Sequence, residues 1–415
     1  MCKLFPPNDG PLAGRTGIIA VSIFLNFAGY TIIIPVLPFW VGRYAPGGQV
    51  AAYVSAILSA YALCSFLAAP VLGALSDRFG RRPIVVLSLL GSAVGFAIFG
   101  VGGALWVLAL GRIIDGLTAG NVSAMYAYIA DTHEPAKRGA AYGLLGAAGG
   151  LGFMCGPALG GLLGQVSLSA PLFGAAAVAM GNALWVLLAV PESHPVERRI
   201  QRLDWRRLNP FGALAMVLRI GRLRLLFGLA FCFYGAAVLM QSNLSVFLKD
   251  RLGFDVGAIG WVLFGVGLVD IASQGVVAPR LLARFAEWRV VAGGLVVNGA
   301  GFLTLAALAL HPSVVLLAGG IAVLTFGDGL VQPAMNAMIS KAAPAGQQGR
   351  VQGANQGQQS LARMVSPIAS AALYAGFAGA PYLAGGAIVL ADALLLLALA
   401  ARTDGVGTAE PSPSN

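Results

Sequence analysis

Residues 50–101 read VAAYVSAILSAYALCSFLAAPVLGALSDRFGRRPIVVLSLLGSAVGFAIFGV, two long apolar runs parted only by the charged turn Asp77-Arg78-Phe79-Gly80-Arg81-Arg82. A spanning helix needs about 20 mostly apolar residues, because the hydrocarbon layer is about 30 Å thick and a helix rises about 1.5 Å per residue. Both runs reach that length. A connection this short makes the two helices antiparallel neighbours, so the stretch reads as a transmembrane hairpin.

The same reading extends in both directions. Further runs lie near 17–41, 104–130, 139–164 and 170–190, and after a polar stretch near 224–248, 256–279, 290–310, 313–340, 351–376 and 381–401. The expected fold is all-α membrane, twelve transmembrane helices in two pseudo-symmetric six-helix bundles. The expected organisation is an N-terminal half (1–190), a basic linker (191–222), a C-terminal half (223–401) and a tail (402–415). Composition agrees: 58% of the 415 residues are hydrophobic and 10% charged, against about 25% charged in soluble domains. The 57 glycines suit helices that approach closely in lipid. No short apolar segment with a small-residue cleavage site precedes the first run, so no removable leader is expected.

A net charge of +10 raises the question of a nucleic-acid partner, and the placement of the bases answers it. With both termini cytoplasmic, the outer loops hold only Arg43, Lys249 and Arg251, and Arg112 and Arg363 fall inside spans. All other Lys and Arg residues lie on the cytoplasmic side, as the positive-inside rule requires. The charge is a topology signal, and no nucleic-acid partner is expected. Cys2, Cys64, Cys155 and Cys232 lie apart without metal spacing and read as buried thiols. The sequence has no HExxH, GxSxG or phosphate-binding glycine loop, so neither an enzyme nor an ATP-driven pump is expected.

A weak repeat relates the halves: GALSDRFGRRPIV (73–85) and PRLLARFAEWRVV (279–291) each follow the second span of their half. Two homologous halves around a midplane site is a transporter arrangement. The first of these loops, with Gly73, Asp77, Arg78, Gly80, Arg81 and Arg82, resembles the signature loop of the major facilitator superfamily, where an acid among arginines forms a charge latch; a plain topogenic basic loop is the alternative. Gly111-Arg112-Ile-Ile-Asp115-Gly116 is similar to the superfamily's RxxxG motif. Gly152-Phe-Met-Cys-Gly156-Pro157-Ala-Leu-Gly160-Gly161 resembles the motif of its antiporter branch, and serves equally as a small-residue packing seam.

From about Ile23 to Pro191, and more weakly beyond, the chain is similar to the tetracycline-exporter and drug:proton antiporter group. Ile34-Pro35-Val36-Leu37-Pro38, Ala127-Tyr128-Ile129-Ala130-Asp131, Leu208-Asn209-Pro210 and Phe247-Leu248-Lys249-Asp250-Arg251-Leu252-Gly253 add to the match. The resemblance implies a monomeric carrier in the cytoplasmic membrane that exports an amphiphilic small molecule on the proton gradient, without a cofactor. Uptake of a metabolite on the same fold and a membrane sensor or enzyme are the competing readings. One departure is plain. Tetracycline exporters carry acids in the first, third and ninth spans; the aligned positions here are Asn26, Gly95 and Asn298, and the histidine of their eighth span aligns with Asp270.

Four acids fall within spans: Asp115, Asp270, Asp328 and Asp392. Each costs a few kcal/mol if left unpaired in lipid, and a desolvated carboxyl can bind a proton on one side of a membrane and release it on the other. Asp328, Gln332 and Asn336 recur at spacing four, giving the tenth span one polar face. Asp328 is the first candidate for proton coupling, followed by Asp115 (beside Arg112) and Asp270; Asp392 reads as a packing residue. Asn355, Gln359 and Arg363 form a second such face in the eleventh span, with Arg363 expected to pair with Asp328 or Asp270. By resemblance the first, fourth, seventh and tenth spans line the cavity. Candidate pocket residues there are Asn26, Tyr30, Asn121, Tyr126, Tyr234 and Gln241, with Gln332, Asn336, Asn355 and Gln359.

A reporter fused after Arg207 is expected to read cytoplasmic, and one inserted near Gly47 external. The opposite readout at either position rejects the two-times-six topology.

Overall fold

A computed structural model describes residues 12–46, 48–200, 219–344 and 348–406; Leu208-Asn209-Pro210 and Cys2 lie outside them. Twelve helical rods follow one another among the described residues. The first comprises Leu12–Thr31 and the short helix Leu37–Gly42, separated around Pro35. The second to sixth are Val50–Phe79, Arg81–Val101, Leu105–Leu117 continued by Asn121–Thr132, Pro135–Val166 and Ala170–Ala189. The seventh is Gly221–Leu252. The eighth is Val256–Ala272, continued through a π-helical turn at Ser273–Val277 into Ala278–Leu282. The last four are Glu287–Leu308, Val314–Ala342, Gln348–Gly376 and Ala380–Val406. Ten of these are long and apolar enough to cross a membrane on composition alone. The Gln- and Asn-rich start of the eleventh explains why it is not among them.

Outward-facing apolar side chains show what solvent the rods expect. Leu67, Trp106, Leu188, Val315 and Leu394 are all exposed, a surface that water would penalise and a bilayer accepts. The cysteines follow this inside-out logic and correct the expectation of buried thiols. Cys64 and Cys155 are half-buried and Cys232 is exposed, because an apolar residue on a spanning helix can face lipid instead of a core.

Contacts gather the chain into two compact units. One comprises Met1–Leu214 with Ser242–Leu268 and Arg363–Ala372; the other comprises Ala215–Gln241, Val269–Ala362 and Leu373–Asn415. Within the first unit the first span packs along the fifth and sixth, and the third along the fourth and sixth. Within the second unit the ninth packs against the tenth and twelfth.

Glycine decides how close the rods of the first unit come. Gly152, Gly156 and Gly160 lie at spacing four and face the first span; a Cβ on Gly156 would stand 2.6 Å from the Ala28 carbonyl oxygen, and one on Gly160 would overlap the Ile32 carbonyl. Gly161 turns the other way: a Cβ on it would stand 3.0 Å from the Gly260 Cα of the eighth span, and a Cβ on Gly260 would meet the Pro157 carbonyl oxygen at 2.7 Å. The motif therefore splits onto two faces of one helix. Gly156→Val is expected to destabilise the folded protein by about 1–3 kcal/mol, as overpacking a tight contact does. Gly181→Ala, where a Cβ meets nothing within 4 Å, serves as the neutral control in a thermal-unfolding comparison.

Candidate functional site

The signature loop is short because Gly80 turns it. Gly80 has φ +108°, a conformation that costs glycine little and other residues much, and a Cβ there would run into the Glu192 carboxylate. Glu192, just after the sixth span, accepts the backbone N–H groups of Arg81 (2.9 Å) and Arg82 (3.2 Å). It thereby closes the N-terminus of the third span, where orphan N–H groups and the helix dipole favour an anion. Arg81 is the centre of the latch. Its guanidinium bonds Asp77 on the second span and Asp131 at the end of the fourth, the latter at 2.9 Å, with only 11% of its side chain exposed. The other arginines do different work: Arg78 lies over the Phe79 ring at 5.2 Å, and Arg82 donates to the Leu187 carbonyl. Gly73 faces open space, since a Cβ there meets nothing within 4 Å.

The fourth span is broken at Thr118–Gly120, with charge on one side of the break and an amide pair on the other. Arg112 and Asp115, 1% and 3% exposed, bond at 2.8 Å, and Ser92 of the third span donates to the second Asp115 oxygen at 2.7 Å. The Arg112 guanidinium lies 4.3 Å from the Tyr61 ring and 5.5 Å from the Tyr30 ring. Its Nε and Nη2 have no hydrogen-bond partner among the described residues, so two aromatic faces and one carboxylate share the positive charge. Past the break, Asn121 donates to the Asn26 side chain. Tyr126 stacks instead with Tyr142, centroids 5.5 Å apart.

In the second unit the polar face of the tenth span is distributed among its neighbours. Asp328 accepts from Asn298 of the ninth span at 2.8 Å, and Asn298 also donates to the Leu324 carbonyl. Gln332 accepts from Gln274 of the eighth span at 3.2 Å, and Gln274 also donates to Asp270 at 2.8 Å. Asn336 accepts from Tyr234 of the seventh span at 3.4 Å and from Asn355 of the eleventh at 2.8 Å; Gln358 then donates to Asn355. Asp270 and Gln274 flank Ser273, where the π-helical turn begins; a Cβ on Gly329 of the tenth span would collide with the Ser273 hydroxyl. Such turns recur at functional sites. Gln241 is exposed and Gln359 half-buried. Arg363 has an exposed side chain and falls in the first unit. Asp392 is 7% exposed, and its Oδ2 has no partner among the described residues.

Several partners carried no signal of their own in the sequence. Tyr61 and Ser92 are ordinary span residues, Glu192 reads as linker, and Asn298 reads as the mere loss of an acid. All become visible only when neighbouring spans are set side by side.

Taken together, spans of this number, a charge-latched loop and polar faces inside the membrane define a multi-pass small-molecule transporter. The chain belongs to the major facilitator superfamily, whose family model matches residues 19–367 and 225–414. Within it, the chain is similar to the "Tetracycline resistance protein, class C" of Escherichia coli, 33% identical over 90% of this chain and 94% of that protein. It is also 32% identical to the class D protein of Salmonella ordonez, over 87% of this chain and 90% of that protein. Among solved structures, that of the human organic anion transporter MFSD10 (TETRAN) has a TM-score of 0.71 and 25% identity, covering 93% of this chain and all of that one.

Arg81→Gln removes both ion pairs of the latch and is expected to impair transport more than Asp77→Asn, which removes one. Gly73→Ala is expected to transport like the wild type. Initial transport rates normalised to membrane protein check the order, and equal rates in all three variants take the loop out of the mechanism.

Proposed function

We propose that this protein exports an amphiphilic drug or secondary metabolite across the cytoplasmic membrane in exchange for protons, with both termini cytoplasmic. It works as a monomer, needs no cofactor beyond the proton gradient, and uses Asp328 as its proton carrier. The resemblance to tetracycline resistance proteins over nine-tenths of the chain supports the export reading. The observation that carries the proton assignment is the contrast between the acids. Asp115 is fully buried against Arg112, so protonating it strands a cation beside two aromatic rings. Asp328 is half-buried, makes no ion pair among the described residues, and is held by the neutral amide of Asn298. A carboxyl with neutral partners gains and loses a proton without leaving a charge unpaired.

The same contrast separates the exporter's parts. Asn298 occupies the place of the ninth-span acid in tetracycline exporters and orients Asp328 in its stead. Gly95 occupies the place of the third-span acid; a Cβ there would stand 2.6 Å from the Gly111 carbonyl oxygen, so this packing admits no side chain. Each unit offers its own candidate polar contacts for substrate: Asn26, Asn121 and Tyr30 in the first, and Gln332, Asn336, Asn355 and Tyr234 in the second. Because the tetracycline-exporter acids are absent, the substrate set is its own.

Asp328→Asn is expected to abolish uphill, proton-driven export in everted vesicles while downhill substrate exchange continues, and Asp328→Glu to retain part of the activity with a shifted pH optimum. Asp115→Asn alone is a poor comparison: it leaves Arg112 buried and uncompensated, a loss of about 3–5 kcal/mol. The paired Arg112→Gln/Asp115→Asn variant is the proper one. If that pair stops pumping and Asp328→Asn pumps at the wild-type rate, the proton runs through the fourth span. If both pump uphill at the wild-type rate, the coupling runs through another acid, Asp270 first; if the wild type itself moves substrate only downhill, the protein is a facilitator.

A further inference from the structure

At the basic ends of its spans the first unit is filled. Ile23 of the first span, Leu89 of the third, Met125 and Tyr128 of the fourth and Val186 of the sixth close on one another in a buried core. The repeat carries Arg81 and Arg82 onto Glu287 and Trp288. At that level the second unit has a cavity of about 300 Å³ among the seventh, ninth, tenth and twelfth spans, comparable to the smaller ligand pockets. Its walls include Leu225, Leu229, Met338, Leu396 and Leu399, with Trp288, Glu287 and Lys341 also lining it.

The charges beside it invert those of the first unit. Arg81 at the start of the third span pairs with Asp131 at the end of the fourth; Glu287 at the start of the ninth pairs with Lys341 at the end of the tenth. Arg81 is closed in, whereas the Lys341 side chain is 71% and the Glu287 side chain 27% exposed. An exposed ion pair is weak and exchanges readily for other partners. The cavity thus offers one cation and one anion, both able to change partners, above an apolar floor. Trp288, with the Arg289 guanidinium 5.2 Å from its ring, has the chemistry of a membrane-interface anchor.

We propose that this cavity binds one phosphatidylethanolamine molecule of the adjacent leaflet. Its phosphate takes the Lys341 ammonium, its own ammonium takes the Glu287 carboxylate, and the first methylenes of one acyl chain lie against Leu225, Leu229 and Leu399. The headgroup follows from the charges present. Phosphatidylglycerol supplies the phosphate but sets no cation against Glu287. Phosphatidylcholine supplies a cation without an N–H to donate.

The full-length protein in detergent, titrated separately with the three lipids and read by native mass spectrometry, tests this. Phosphatidylethanolamine is expected to be retained up to about fivefold more tightly than either other lipid, the range of one exposed ionic contact. Glu287→Gln is expected to erase that preference, Lys341→Gln to weaken all three lipids alike, and Leu225→Trp to fill the cavity and lower all retention. Equal retention of the three lipids by the wild type overturns the proposal, as does a preference that survives in Glu287→Gln. If Glu287→Gln fails to fold, undiminished retention in Leu225→Trp is the overturning result. Lipid retention is read without transport, so it stands or falls separately from proton-coupled export.

Discussion

Lipid offers no hydrogen bonds, so each polar group carried into a span must be satisfied by another span or by a cavity. The tenth helix shows what that demands of the fold. Asp328, Gln332 and Asn336 leave it on one face, yet Asn298, Gln274 and the Tyr234–Asn355 pair come from four other helices. Moving the ninth helix takes Asn298 from Asp328, and moving the eighth takes Gln274 from Gln332. The polar face therefore positions its neighbours as much as they position it.

Small residues make such short reaches possible. The third and fourth spans meet at Gly95 and Gly111, each of which would press a Cβ into the other's carbonyl oxygen. That approach carries Ser92 to within 2.7 Å of Asp115 and lets the Arg112–Asp115 pair be buried with a third group attached. The cost of burying a charge pair falls only when its remaining lone pairs are satisfied, and Ser92 supplies part of that. In the fifth span the same glycine chemistry serves two neighbours at once, the first span through Gly152, Gly156 and Gly160 and the eighth through Gly161.

The two halves differ at the basic membrane face. In the first, Arg81 draws Asp77 and Asp131 together while Glu192 closes the helix beneath them, a compact knot of charges over a packed core. In the second, the aligned position is Glu287, its partner Lys341 reaches into solvent, and the space below is open. Inverting the sign of the pair kept the link between neighbouring helices.

Much of this was legible in the sequence, because the bilayer imposes rules that single spans must obey: apolar length, basic flanks, and acids that cannot be ignored. The rods, the placement of Arg112 beside Asp115 at spacing three, and the polar stripe of 328, 332 and 336 all follow from one helix considered alone. What one helix cannot reveal is its partner across a contact. That Arg81, among three arginines, holds the latch was decided by where Asp131 and Glu192 arrive from distant parts of the chain. That Asn298 reaches Asp328, and that Gly95 has no room for a side chain, was decided by helices meeting within van der Waals distance. Helical period sets which side chains share a face, but only tertiary packing sets what that face meets.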